Sequence, residues 1–179
     1  MTDSKISLCY SIDGNDLIIG VTGPWNVFAL DNGAASAPDR VLAANVIGKP
    51  LFNFIQDGST RMLLQTVVRA VRMLGGHRQV DYRCDSATHK RFMRMRLQLK
   101  DDGIVDISHE QLRIEPMAHA FDTRAVPASQ QHYHRCSLCN RIELDGVWLE
   151  PDDKILESLA QPCPVFHTVC PLCEQRLAD

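Results

Sequence analysis

Two cysteine pairs in the last quarter of the chain constrain it more than any other sequence feature. The segments RCSLCN and VCPLCE give the pattern C-x2-C, 30 residues, C-x2-C, with Cys136, Cys139, Cys170 and Cys173 at its four positions. Each short turn directs two thiolates at one ion, at metal–sulfur distances of about 2.3 Å. Four soft thiolates favour zinc or an iron centre. The spacing predicts a four-cysteine metal site, and we expect one structural zinc per chain.

Other uses of a C-x2-C pair fit this sequence less well. Covalent haem attachment requires a histidine after the second cysteine, whereas Asn140 and Glu174 stand there. A thioredoxin-like motif needs one pair only. The chain has seven cysteines, and its first residues, MTDSKISLCYSIDG, do not have the pattern of a secretory signal, so we expect reduced thiols and a cytoplasmic location.

The residues between the pairs fit a small metal-stapled module over residues 132–179. NRIELDGVWLE predicts a hairpin that turns at Asp-Gly, and PDDKILESLA predicts a short helix beginning at Pro151. So few apolar residues seldom fold without a metal. Cys163 and His167 are alternative fourth ligands. His132 and His134, which precede the first pair, are interpreted as solvated linker residues.

The first two thirds of the chain alternate strand and helix patterns. Apolar stretches on both sides of DGN predict a hairpin, and an apolar face repeated over residues 60–74 predicts a helix that ends at GG. Three period-two stretches follow, HRQVDYRCD, RFMRMRLQLK and IVDISHEQLRI. We therefore predict an α+β domain over residues 1–115 with helices on one face of an antiparallel sheet, a linker over 116–131 and the metal module over 132–179.

This order of elements, with three local motifs, resembles the PAS domain, a small sensor module of bacterial signalling proteins. The motifs are PWNVFALDNG, VIGKPLFNFI and VDYRCDSATHKRFMRMRL. The tail also resembles a cysteine-rich segment, C-S-x-C-x-R-I…G-x-W…H-x-x-C-P-x-C, that follows sensor or receiver domains in bacterial regulators. The resemblance implies a PAS-like antiparallel sheet, a small-molecule pocket or a dimerisation surface, and a role in signal transduction.

The resemblance also suggests which residues line a sensor pocket. Its candidate cofactor-binding residues are Trp25, Phe28, Phe54, Tyr82 and Met93. Flavin-binding relatives carry a reactive cysteine in the segment equivalent to IGKPLFNFIQ, and haem-binding relatives offer a histidine from the long helix. This chain has neither, so the ligand of the pocket stays open, and such side chains also serve as ordinary core.

The function predicted from these features is sensory or regulatory and not enzymatic. We expect a homodimer formed through the PAS domain, an unidentified signalling protein as partner and no contact with a membrane. One alternative is a thiol or metal redox sensor that uses the C-x2-C pairs. Another is a zinc-ribbon regulator that binds nucleic acid, favoured by eight basic residues between Arg69 and Arg96 but opposed by the acidic tail, so we expect no nucleic acid.

Overall fold

A computed structural model describes residues 7–27, 42–55 and 58–178. Its strands and helices are β1 (Ser7–Ile12), β2 (Ile18–Thr22), α1 (Ala43–Val46), α2 (Gly58–Leu74), β3 (His77–Arg83), β4 (His89–Leu99), β5 (Val105–Pro116), β6 (Thr123–Ala125), β7 (Tyr133–Cys136), β8 (Ile142–Leu144), β9 (Val147–Leu149), β10 (Cys163–Thr168) and α3 (Pro171–Ala178). Short 3-10 turns cover Leu51–Phe54, Asp101–Gly103 and Lys154–Ser158. The chain is a mixed α+β protein with two five-stranded sheets.

The chain divides into two compact units that differ from the predicted domain boundaries. The first unit consists of Met1–Val80 and Arg94–Gln111, and the second of Asp81–Met93 and Leu112–Asp179. The predicted linker over 116–131 supplies β6 and the buried Phe121 to the second unit. Its local sequence lacks periodicity because β6 is three residues long and pairs with the distant strand β10.

The first sheet has the strand order β2-β1-β5-β4-β3. β1 pairs antiparallel with β2, as the hairpin pattern around DGN predicted, and also with β5, a pairing that the sequence did not predict. Helix α2 buries Leu64, Val68 and Val71 and ends before Gly75 and Gly76, which both have positive φ. These elements follow the predicted order, although Leu74, which was placed on the apolar face of the helix, is 72% exposed.

One arginine of α2 holds together the turns of the first unit. The guanidinium of Arg72 donates to Asp16 Oδ1 at 2.7 Å, to the carbonyl of Asp13 at 2.5 Å and to the carbonyl of Gly103 at 3.2 Å. It therefore links the β1–β2 turn and the β4–β5 turn to the last turn of the helix.

The second sheet is mixed, with the order β6-β10-β7-β8-β9. β10 runs parallel to both β6 and β7, whereas β7, β8 and β9 are antiparallel. The β8–β9 hairpin turns at Asp145 and Gly146, with φ of 51° and 79°, as predicted. The predicted helix after Pro151 is instead a 3-10 turn over Lys154–Ser158, and Asp153 caps its start by accepting from the amide of Ile155.

A small hydrophobic cluster forms the interior of this second unit. Its buried members are Phe121, Ile142, Leu156, Cys163 and Val165, with Met117, Tyr133, Leu144, Leu149 and Leu159 packed around them. The members come from β8, β10, the 3-10 turn over Lys154–Ser158 and the segment just before β6, which are far apart in sequence. The cluster depends on the parallel pairing of β10, which the sequence pattern did not predict.

Candidate metal centre

The two cysteine pairs lie at the ends of neighbouring parallel strands. Cys136 is the last residue of β7, and Cys170 follows β10 by two residues. Thr168 of β10 is in register with Cys136 of β7. Because parallel strands end at the same edge of a sheet, this register brings the two pairs together, although 30 residues separate them in sequence.

The first pair is held in a tight turn. The amide of Asn140 donates to the carbonyl of Cys136 at 2.9 Å, and the amide of Cys136 donates to the carbonyl of Arg141 at 2.9 Å. Asn140 adopts the left-handed conformation, with φ of 61°, which asparagine tolerates better than most residues. The turn therefore directs the thiols of Cys136 and Cys139 toward the same point.

The second pair opens helix α3. Pro171 is the first helical residue, where its missing N–H costs no hydrogen bond, and Cys173 lies in the first turn. The amides of Cys173 and Glu174 donate to the carbonyl of Cys170 at 2.9 and 3.0 Å. The positive end of the helix dipole therefore lies at the second cysteine pair.

The four sulfur atoms have the spacing of a metal site. All lie within 4.8 Å of one another, and the Sγ atoms of Cys139 and Cys170 are 3.7 Å apart. A tetrahedron with metal–sulfur bonds of about 2.3 Å has edges of about 3.8 Å. Cys136, Cys170 and Cys173 are buried, and Cys139 is half-buried. Four cysteines in this arrangement could hold a metal ion.

Backbone amides stabilise negative charge on the first sulfur. The amides of Cys139 and Cys170 donate to Cys136 Sγ at 3.5 and 3.4 Å. The thiol of Cys139 adds the largest effect, and the pKa of Cys136 falls to about 4. The hydrogen bond to Cys136 raises the pKa of Cys139, and burial raises that of Cys173 to about 12. One thiolate thus opposes ionisation of its neighbours, and a dication would offset this repulsion for all four.

A network of charged side chains surrounds the first pair. Arg141 Nε donates to Glu150 Oε1 at 2.9 Å, and Arg83 donates to Glu150 Oε2 at 2.5 Å. Arg83 also binds both carboxylate oxygens of Asp85, whose side chain is 1% exposed. Burial alone would raise the pKa of Glu150, but hydrogen bonds from the two arginines outweigh it and lower that pKa. The network thus pairs Arg83, one of the eight basic residues between Arg69 and Arg96, with carboxylates of the second unit.

Arg83 is also bound to the cysteine turn through its backbone. Its amide donates to the carbonyl of Leu138 at 2.7 Å, between the two cysteines of the first pair. Lys90 extends the network by donating to Asp152 at 2.6 Å. Residues 81–93 therefore belong to the unit that carries the cysteines, which the period-two pattern of β3 and β4 did not reveal.

The other predicted ligands have different environments. Cys163 is fully buried in the hydrophobic cluster, and its pKa is raised by burial. The group of residues that could hold a metal contains the four cysteines of the two pairs and includes neither Cys163 nor His167. The four-cysteine set predicted from the spacing is the set that the fold brings together.

The predicted sensor-pocket residues are distributed over both units. Trp25 is half-buried and packs edge-on against Tyr10, with ring centroids 5.8 Å apart. Phe54 ends a 3-10 turn in the first unit, whereas Tyr82 and the buried Met93 belong to the second unit. Phe28 lies outside the described residues. The pocket remains a prediction.

The chain was compared with known proteins at the level of sequence. No protein-family model matches it, and no curated protein matches its sequence. Among the described residues, no helix combines the length and the apolar character that a membrane span requires.

Proposed function

We propose that this chain is a cytoplasmic regulatory protein of the PAS type, in which a structural zinc ion holds the second unit together and the output passes to a protein partner. The observation that carries the proposal is the group of four cysteine sulfurs within 4.8 Å of one another at the ends of β7 and β10. Such a closed four-thiolate set leaves no position for a substrate. The centre is therefore a structural element and not a catalytic one.

Zinc is the proposed ion because of the donor set and the surrounding residues. Four thiolates select zinc or iron over harder cations. The backbone amides of Cys139 and Cys170 donate hydrogen bonds to Cys136 Sγ. Hydrogen bonds of this kind hold the ligand atoms of a metal site in position. When bound, zinc would offset part of the negative charge of the four thiolates and close the loop of 30 residues between Cys139 and Cys170.

The sensory part of the proposal rests on the first unit and on the order of elements shared with PAS domains. Tyr10 of β1 contacts Trp25 and also stacks on His109 of β5, with ring centroids 5.6 Å apart and planes inclined by 20°. Aromatic side chains grouped in this way inside a small domain are the kind that line small-molecule pockets. We propose dimerisation through this unit as the route by which a ligand alters the binding of a partner.

The charge network supports a protein partner over nucleic acid. Arg83 is bound to Asp85 and Glu150, and Lys90 to Asp152. Cations that are paired with carboxylates contribute little to phosphate binding, because a phosphate would have to displace those carboxylates. Arg83 and Lys90, two of the eight basic residues of that stretch, are therefore already paired within the protein.

The proposal is tested by measuring metal content per chain in protein purified under reducing conditions. We expect about one zinc per chain and no visible absorption. Cys136→Ser and Cys170→Ser should lower the zinc content, whereas Cys9→Ser, in the first unit, should not. Two results would contradict the structural zinc site: iron with visible absorption, or a zinc content that is unchanged in both Cys136→Ser and Cys170→Ser.

Mild peroxide distinguishes the structural site from a thiol switch. A structural zinc stays bound under peroxide that oxidises exposed thiols. Release of the metal, reversed by a reductant, would instead favour the redox-sensor alternative. The sensory role is tested by the mass of the purified chain in solution, which should be that of a dimer. A monomer would contradict the proposal that a ligand acts through dimerisation.

A further inference from the structure

We propose that His132 and His134 form a second, open metal site for an imidazole-binding dication of the Ni²⁺, Cu²⁺ or Zn²⁺ class. The site lies on the outer face of the second sheet, at the start of β7. It is separate from the four-cysteine centre in its ligands and in its exposure to solvent. The inference does not depend on the identity of the metal at the cysteines.

The two histidines share one face of the strand. Residues two apart in a strand point the same way, and Tyr133 between them packs toward the hydrophobic cluster. His132 and His134 therefore point away from that cluster. The side chain of His134 is 47% exposed. An ion can reach both rings from solvent.

The spacing of the rings suits a shared ion. Their centroids are 5.4 Å apart, with planes inclined by 51°. Two imidazoles that bind one ion at about 2.0–2.1 Å, at a tetrahedral angle, have ring centroids about 5.2 Å apart. The observed centroid separation is close to this value, so the two rings already lie at the distance that a shared ion requires.

Hydrogen bonds determine which ring nitrogen carries the lone pair. His132 Nδ1 lies 2.6 Å from the carbonyl oxygen of Gln130, and His134 Nδ1 lies 2.8 Å from Glu143 Oε2. A carbonyl and a carboxylate only accept, so each Nδ1 carries the proton in the neutral ring and each Nε2 has a free lone pair. Metal-binding histidines have this same arrangement, with the second nitrogen donating to a carbonyl or carboxylate.

Phe166 of β10 limits the movement of both rings. Its ring centroid lies 5.3 Å from that of His132 and 6.4 Å from that of His134. Phe166 is in register with His134 across the β10–β7 pair. Packing against a fixed aromatic ring reduces the side-chain entropy that metal binding must remove.

Two imidazoles leave several coordination positions for water or for a ligand from another molecule. Imidazole suits nickel, copper and zinc, and affinity rises from nickel to copper. A site of this kind exchanges its ion readily, whereas the cysteine centre is closed. The tail would then hold one retained metal and one exchangeable metal, consistent with a regulator that responds to metal supply.

Calorimetric titration of the full chain with Ni²⁺, after its cysteine-bound metal has been measured, tests the proposal. We expect one further Ni²⁺ per chain. His132→Ala and His134→Ala should each weaken its binding by more than roughly 100-fold, because either change removes a ligand, whereas loss of an outer hydrogen-bond partner costs roughly 10- to 100-fold. Glu143→Ala should weaken it less, because it removes only the acceptor for His134 Nδ1. Ni²⁺ should selectively broaden the proton resonances of both rings.

Histidines elsewhere provide the matched controls. His77 and His89 are exposed and lie outside this face, so His77→Ala and His89→Ala should leave Ni²⁺ binding unchanged. The metal content at the cysteines must stay constant, and the strong absorption of Ni²⁺–thiolate complexes must be absent. No Ni²⁺ beyond the cysteine site, or binding that survives in His132→Ala and His134→Ala, would overturn the proposal.

Discussion

The two units of this protein reach a folded state by different means. The first buries a continuous set of apolar side chains from strands and helices, namely Leu8, Tyr10, Ile12, Ile18, Val46, Leu51, Leu64, Val68, Val71, Val80, Met95, Leu97, Val105 and Ile107. Among its described residues, the second buries about half as many besides its cysteines, namely Met93, Phe121, Val126, Leu138, Ile142, Leu156 and Val165, with four cysteine sulfurs and a network of charged groups beside them. We infer that apolar burial stabilises the first unit and that the second needs its metal and its ion pairs.

The difference follows from the size and composition of each core. Each fully buried aliphatic side chain contributes about 1.5–3 kcal/mol, so the first unit has a large favourable term to set against chain entropy. The second unit has few such side chains and a long loop between its cysteine pairs. A metal that binds only the folded form adds its binding free energy to stability. Four predictions test this comparison.

Removing the metal should have the largest effect. A strong chelator, or Cys170→Ser, should cost the second unit about 10 kcal/mol, since structural zinc contributes on that order. Hydrogen exchange followed by mass spectrometry should show lost protection in β7, β8 and β10, with protection retained in β1, β2 and α2.

The matched control is Cys9→Ser, which removes a half-buried cysteine of the first unit. It should leave the exchange pattern of the second unit unchanged. If chelation unfolds both units together, or neither, the two units do not differ in their need for a metal.

Breaking the charge network should have the next largest effect. Arg83→Met leaves the carboxylate of Asp85, 1% exposed, without its bidentate partner. Breaking a buried pair on one side costs about 3–5 kcal/mol. Urea unfolding followed through Trp148, in a Trp25→Phe background, should show this loss in the second unit.

The control arginine lies in the first unit. Arg96 is 53% exposed and lies 3.7 Å from Glu110, so Arg96→Met should cost less than about 1 kcal/mol. The same measurement through Trp25, in a Trp148→Phe background, reports this value. Similar losses for both arginines would mean that the network around Arg83 does not stabilise the second unit as a buried pair does.

Acid should weaken the first unit through His109. Burial lowers the pKa of His109 from 6.5 to about 4. Above pH 6.5 the ring is neutral in both states, and its contribution to stability is fully present. As the pH falls from 6.5 to 4, the unfolded chain takes up a proton that the folded chain resists, so up to about 3 kcal/mol is lost. Urea unfolding through Trp25 at several pH values measures this loss.

His109→Phe separates this histidine from other acid effects. Phenylalanine preserves a ring against Tyr10 but cannot be protonated. The variant should lose less stability than the natural protein between pH 6.5 and 4. An identical pH dependence in the two proteins would show that His109 is not the group responsible.

The sequence predicted local features of both units and the four cysteines that the fold brings together. The Asp145-Gly146 turn, the apolar face of α2 and the C-x2-C spacing are each encoded in a few adjacent residues. The membership of residues 81–93 in the second unit was not predicted. It depends on the bonds that Arg83 makes with Leu138 and Glu150, and such pairings across many residues leave no periodic signal.

The smallest expected effect compares one hairpin from each unit. Gly146 in the β8–β9 turn has φ of 79°, whereas Gly14 in the β1–β2 turn does not have a positive φ. An added Cβ would meet no atom within 4 Å at either position. Gly146→Ala should therefore cost about 1 kcal/mol through backbone conformation alone, and Gly14→Ala should be neutral or slightly stabilising.

The two glycine variants also show whether the second unit tolerates small losses. If the metal supplies most of its stability, Gly146→Ala should lower its urea midpoint in the metal-bound protein only slightly, and its metal content should stay at one ion per chain. If Gly146→Ala instead releases the metal, the free energy of unfolding of the second unit is small even when the ion is bound. The hairpin would then be part of what holds the cysteine turn of β7 in place, since β8 pairs with that strand.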